Sequence, residues 1–104
     1  MAKDHPTGES GLYSALLELK TPEECYRFLQ DVCSYSELSA MEQRYNIAEM
    51  LVDKRIYTEI MDKTGASSAT VSRVNRMLNY GTGSVAESVR EDLAAQGVTA
   101  GTKE

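Results

Sequence analysis

The sequence predicts an all-α fold of about six helices, and three observations carry that prediction. Apolar residues recur at helical spacing along most of the chain, whereas no segment alternates as a half-buried strand would and no Asn-Gly or Asp-Gly hairpin signal occurs. Several of these apolar segments begin with helix-start chemistry. Finally, residues 57–78 read as two short helices joined at Gly65, the pattern of a helix-turn-helix.

The elements follow in order. Residues 11–20 place Leu12, Leu16 and Leu19 on one face, with Leu17 widening it. Thr21-Pro22-Glu23-Glu24 then supplies a cap, a proline suited to the first helical position, and a glutamate that completes a capping box. The helix that follows carries Cys25, Phe28, Leu29 and Val32 at i, i+3, i+4 and i+7. Ser34 and Glu37 form a second capping box, opening a long helix to about residue 54. Its stripe is Leu38, Met41, Tyr45, Ala48 and Val52, broadened by Ile47 and Leu51, a width that suits more than one packing partner. Short helices are expected at 57–64 and 68–80. Gly81 and Gly83 break the chain, and Ser84 with Glu87 reads as a third capping box before Val85, Val89 and Leu93. Residues 1–10 and 97–104 are polar and glycine-bearing and read as flexible ends, leaving one helical domain over 11–96. A core of that size is marginal alone, and sharing it with a second copy is a common remedy.

Composition narrows the function. No apolar run approaches the roughly 18–20 residues that span a bilayer, and the N-terminus has no apolar segment of a signal peptide. Cys25 and Cys33 stand eight residues apart in helical segments, which suits free thiols in a reducing cytoplasm. The net charge of −5 is unevenly spread. Residues 54–76 hold Lys54, Arg55, Lys63, Arg73 and Arg76 against Glu59 and Asp62, a balance of +3, while residues 1–53 stand at −6. A local positive face on an acidic body is compatible with nucleic acid, because charge is screened over about 8–10 Å.

The 57–78 segment meets the demands of two helices crossing steeply. Ile60 points inward, Gly65 tolerates a positive φ, and Ala66 and Ala69 allow close approach. Ser67 can cap the second helix at Thr70, and Val71, Val74 and Leu78 form its inner face. In this motif the second helix enters the major groove by its N-terminal end. Ser67, Ser68, Ala69, Thr70, Ser72 and Arg73 are therefore the expected reading residues. Hydroxyls donate or accept at base edges, and arginine pairs bidentately with guanine. Arg76, Lys63, Lys54 and Arg55 are placed for backbone phosphates.

Residues 64–76, continuing through Tyr80 and Gly81, resemble the Trp repressor superfamily, and the YerC/YecD-like branch more than the tryptophan repressor itself. The similarity spans about residues 12–94 and is strongest over 43–81. The resemblance implies an intertwined homodimer, one helix-turn-helix per subunit, palindromic double-stranded DNA, and transcriptional repression. It also implies a ligand pocket at Arg44, Arg73 and Val74. Val74 stands where the tryptophan repressor has glycine, and its isopropyl group would occupy indole space, so tryptophan is not expected as corepressor.

An enzyme is not expected. His5 is the only histidine, and no nucleophile–base pair, phosphate loop, metal-ligand spacing or cofactor motif occurs. The alternative is a helical dimeric protein-interaction module that has lost DNA binding, with its acidic first half as the contact face.

Overall fold

The computed structural model describes residues 7–97, so most of both ends expected to be flexible lies outside the described residues. Those residues form a short 3₁₀ turn, Thr7–Glu9, and six α-helices: α1 Gly11–Leu17, α2 Pro22–Val32, α3 Tyr35–Val52, α4 Tyr57–Thr64, α5 Ser68–Tyr80 and α6 Ser84–Ala95. No strand occurs among the described residues. The chain groups into two compact units, one ending at Leu38 and the other starting at Ser39.

In the first unit, α1 stops three residues short of the expected Lys20. Its last bonds tighten to i→i−3, with the Glu18 and Leu19 N–H groups donating to the Ala15 and Leu16 carbonyls at 3.1 and 3.2 Å. The Lys20 N–H donates instead to Glu24 Oε1 at 2.8 Å. The capping box at Thr21 is thus shifted. The Thr21 hydroxyl accepts from the Glu24 N–H at 3.1 Å as expected, but the Glu24 carboxylate reaches back one residue further than Thr21. The second box is complete: Glu37 N–H donates to Ser34 Oγ at 3.1 Å and Ser34 N–H to Glu37 Oε1 at 2.7 Å. The Ser34 N–H, and after it the Ser34 side chain, bond to the Glu37 carboxyl and hold it below its ordinary pKa. Neither α1 nor α2 contains a buried residue. Cys25 and Cys33 are free, partly buried thiols.

The second unit holds the main core. Ile47 and Ala48 of α3, Ile60 of α4, Ala66, Val71 and Val74 of the turn and α5, and Val89 and Leu93 of α6 cluster together. Their spacing explains the packing: Ile60 is the inward residue of a short helix, while Val71 and Val74 take one face of α5, and Leu78 packs partly buried beside them. Tyr45 and Ser88 add a hydroxyl–hydroxyl bond of 2.9 Å between α3 and α6.

The third expected cap is corrected by the structure. Ser84 is the first residue of α6, not its cap, because Gly83 holds that position at φ +94°. The Thr82 hydroxyl takes the Ser84 N–H at 3.3 Å, and the Glu87 N–H goes to the Gly83 carbonyl at 3.0 Å.

Candidate nucleic-acid interface

The end of α3 sets how the helix-turn-helix begins. Lys54 N–H donates to the Leu51 carbonyl at 3.0 Å and Arg55 N–H to the Met50 carbonyl at 2.9 Å. That pair of bonds is a Schellman motif, in which Lys54 takes the left-handed position at φ +65° that glycine usually fills. Immediately beyond, Arg55 donates from Nε to Asp53 at 2.9 Å and from Nη1 to Glu59 at 2.7 Å. It therefore braces the turn and the first turn of α4 together. The bond to Asp53, then the field of Glu59, holds its guanidinium pKa above the ordinary value.

The turn between α4 and α5 follows from its residues. Gly65 ends α4 at φ +76°, with its N–H on the Met61 carbonyl at 2.9 Å. Thr64 stands where the motif usually buries an apolar side chain, and its hydroxyl is satisfied twice. It donates to the Ile60 carbonyl at 2.8 Å and accepts from the Ala66 N–H at 3.2 Å. Gln43 Nε2 donates to the Thr64 carbonyl at 3.1 Å, tying α3 to the turn. Ser67 caps α5 as expected, its hydroxyl accepting from the Thr70 N–H at 3.2 Å.

With Val71 and Val74 inward, the opposite face of α5 is presented to solvent. Ser68, Ala69, Ser72, Arg73 and Arg76 are exposed, as are Ser67 and Lys63 beside them. Ala69 differs from the sequence expectation in one respect: it does not pack at the helix crossing but faces outward, leaving Ala66 as the small residue in contact. Thr70 is only half exposed, and its hydroxyl lies 3.2 Å from that of Ser67. Of the flanking cations, Lys54 is exposed, whereas Arg55 is half-buried and already paired. Sequence reasoning missed Tyr80, which is 83% exposed. It follows Arg73 by seven residues and Arg76 by four, so the i, i+4, i+7 rule was the signal that places it on the same face.

The flank of α5 toward α3 forms a separate feature. Arg44, Arg73 and Val74 line one cavity of about 340 Å³, completed by Met41, Tyr45, Met77 and Val85. Two guanidinium groups thus border a mostly apolar hollow, with Val74 itself buried in the wall. A different concavity holds Lys63 with Glu42, Glu49 and the Thr64 end of α4. There the Glu49 carboxyl is pushed above its usual pKa, first by burial and then by its hydrogen bond to Asp92 and that group's charge.

Residues 10–93 match the family described as Trp repressor protein. A Bacillus subtilis (strain 168) protein, the uncharacterized protein YerC, is 49% identical over 70 residues, 67% of each chain. Among solved structures, a TrpR-like protein from Eubacterium eligens ATCC 27750 superposes with a TM-score of 0.71 at 42% identity, over 85% of this chain and 87% of that one. A candidate Trp repressor from Staphylococcus aureus superposes with a TM-score of 0.76 at 31% identity, over 92% of each.

Proposed function

This chain belongs to the Trp repressor family, and from that premise we propose that it is a sequence-specific DNA-binding regulator, a repressor acting as a homodimer through α4 and α5. The observation that carries the proposal is the outward face of α5. A helix whose inner side is Val71 and Val74 and whose outer side is Ser68, Ala69, Ser72, Arg73 and Arg76 offers short hydrogen-bonding groups, a methyl and two guanidinium groups in one stripe. That is the chemistry that reads major-groove edges and fixes register on phosphates. Ser67 and Thr70 hold the N-terminal turn, and Lys63 and Lys54 supply flanking positive charge.

The homodimer accounts for apolar surface that the single chain leaves uncovered. Leu12, Leu16 and Leu17 of α1 and Val32 of α2, which belong to the apolar stripes that the spacing predicts, are exposed, as is Tyr26. Two-fold symmetry then gives palindromic half-sites about one helical turn apart. The Arg44–Arg73–Val74 cavity is the family's corepressor position by resemblance. The Val74 isopropyl group in its wall is the reason tryptophan is not its ligand.

Selection of bound sequences from a random duplex pool, with and without tryptophan, tests this reading. Enrichment of palindromes, unchanged by tryptophan, is the expected result. Arg73→Ala should weaken binding to the selected site by about tenfold or more, because a bidentate arginine–base contact contributes roughly 1–3 kcal/mol. Failure to enrich any sequence at low salt would favour a protein-interaction module. Tryptophan-dependent enrichment would overturn the Val74 argument.

A further inference from the structure

The opposite flank of α5 carries a second cavity of about 310 Å³, bordered by the end of α3, by α5 and by α6. Leu51 and Leu78 contribute apolar wall, and four polar side chains line it: Lys54, Asn75, Asn79 and Arg90. We propose that this cavity is a binding site for a phosphate group.

The four groups come from three separate places in the chain. Asn75 and Asn79 are one turn apart on α5, Arg90 is on α6, and Lys54 is in the turn after α3. No carboxylate lines the cavity. Two exposed cations therefore border a hollow with apolar wall and no carboxylate, an arrangement whose charge an entering anion would neutralise. Arg55, the residue next to Lys54, shows the contrast, since two carboxylates already satisfy it. The side chains of Lys54, Asn75, Asn79 and Arg90 make no hydrogen bond or ion pair with the other described residues.

Lys54 adds an independent argument. It is the one non-glycine among the described residues with a positive φ, at the position of a Schellman motif where glycine is free of strain. A lysine there costs backbone energy, and such strain is found where a side chain has a role. Ammonium, guanidinium and two carboxamide NH₂ groups together offer many donors from several directions. That suits the three or four oxygens of a phosphate better than the two of a carboxylate. The phosphate source is either a backbone group of a bound duplex or a free phosphate or phosphorylated small molecule. The cavity lies on the side of α5 away from Arg44 and Met77, so it is distinct from the corepressor position.

The test is a titration of the ¹⁵N-labelled full chain with inorganic phosphate, against sodium chloride at matched ionic strength. The readout is the side-chain NH₂ signals of Asn75 and Asn79. Saturable shifts with phosphate and none with chloride are expected. Arg90→Gln and Lys54→Gln should each weaken the phosphate affinity by about tenfold, the size of one charge-assisted hydrogen bond. Unchanged backbone spectra would show that both variants fold. Equal shifts in chloride, non-saturating shifts, or a wild-type titration in both variants would overturn the site. A parallel duplex-binding measurement identifies the source. Loss of duplex affinity in Arg90→Gln by the same factor assigns the cavity to DNA phosphate. Unchanged duplex affinity with lost phosphate binding assigns it to a free phosphate compound. Absence of duplex binding by the wild type would remove the DNA-binding reading and leave the phosphate site standing.

Discussion

Glu49 shows how one side chain sets a local pH response. Its carboxyl, on α3, is partly buried and near Asp92, and both burial and that neighbour disfavour its ionised form. A carboxyl whose folded pKa lies above its unfolded value contributes stability that is complete below the unfolded pKa and is lost as pH rises through the folded one. At neutral pH the ionised group is therefore a liability. Glu49→Gln should raise the melting temperature at pH 7 by a few degrees, in line with modest surface substitutions in a domain of this size. The gain should shrink toward pH 4, where the wild-type carboxyl is itself protonated. Thermal scans across that range check the sign, and a lower melting temperature at pH 7 would contradict it. Glu37 runs the other way: its lowered pKa means its capping contribution is present above the unfolded value and fades as pH falls through the folded one.

At the scale of elements, the helix starts separate residues that cap from residues that merely resemble caps. Ser67 accepts the Thr70 N–H at the start of α5, so Ser67→Ala should cost about 1 kcal/mol. Ser84 does not cap α6, so Ser84→Ala should leave the denaturation midpoint nearly unchanged. Chemical denaturation of the two variants side by side distinguishes these outcomes, and equal losses would refute the assignment. The same contrast explains what was readable in advance. Gly65, Ser67 and the Val71–Val74 spacing were legible because a turn, a cap and an inner face are local demands on neighbouring residues. The third capping box misled because Ser-x-x-Glu says nothing of the residue before it, and Gly83 at φ +94° moved the helix start. Ala69 faced outward because rotation of α5 is set by which residues reach the core, a tertiary matter. The pairing of Arg55 with Asp53 and Glu59 was hidden because it depends on the path of a turn, not on helical spacing. Arg44 and Arg73 stand 29 residues apart in sequence, and only resemblance to a family placed them in one pocket.

At the scale of the molecule, α1 and α2 bury no residue fully: Cys25, Phe28 and Leu29 are partly buried, while Leu12, Leu16, Leu17, Tyr26 and Val32 are exposed in the single chain. If a second copy covers them, unfolding is coupled to dissociation. The melting temperature should then rise with protein concentration, and the mass in solution should be twice that of the chain. Light scattering with thermal scans over a hundredfold concentration range checks both. A monomer mass with a constant melting temperature would remove the dimer. The bracing of Arg55 between Asp53 and Glu59 reaches further than the turn it holds. A guanidinium already neutralised by the protein brings few condensed ions off a duplex. Counterion release contributes about 0.9 to the salt exponent for each phosphate neutralised. On the proposed reading, four cations per subunit remain for that exchange instead of the five in the 54–76 segment. Binding would then fade less steeply with rising salt than the basic residues alone imply.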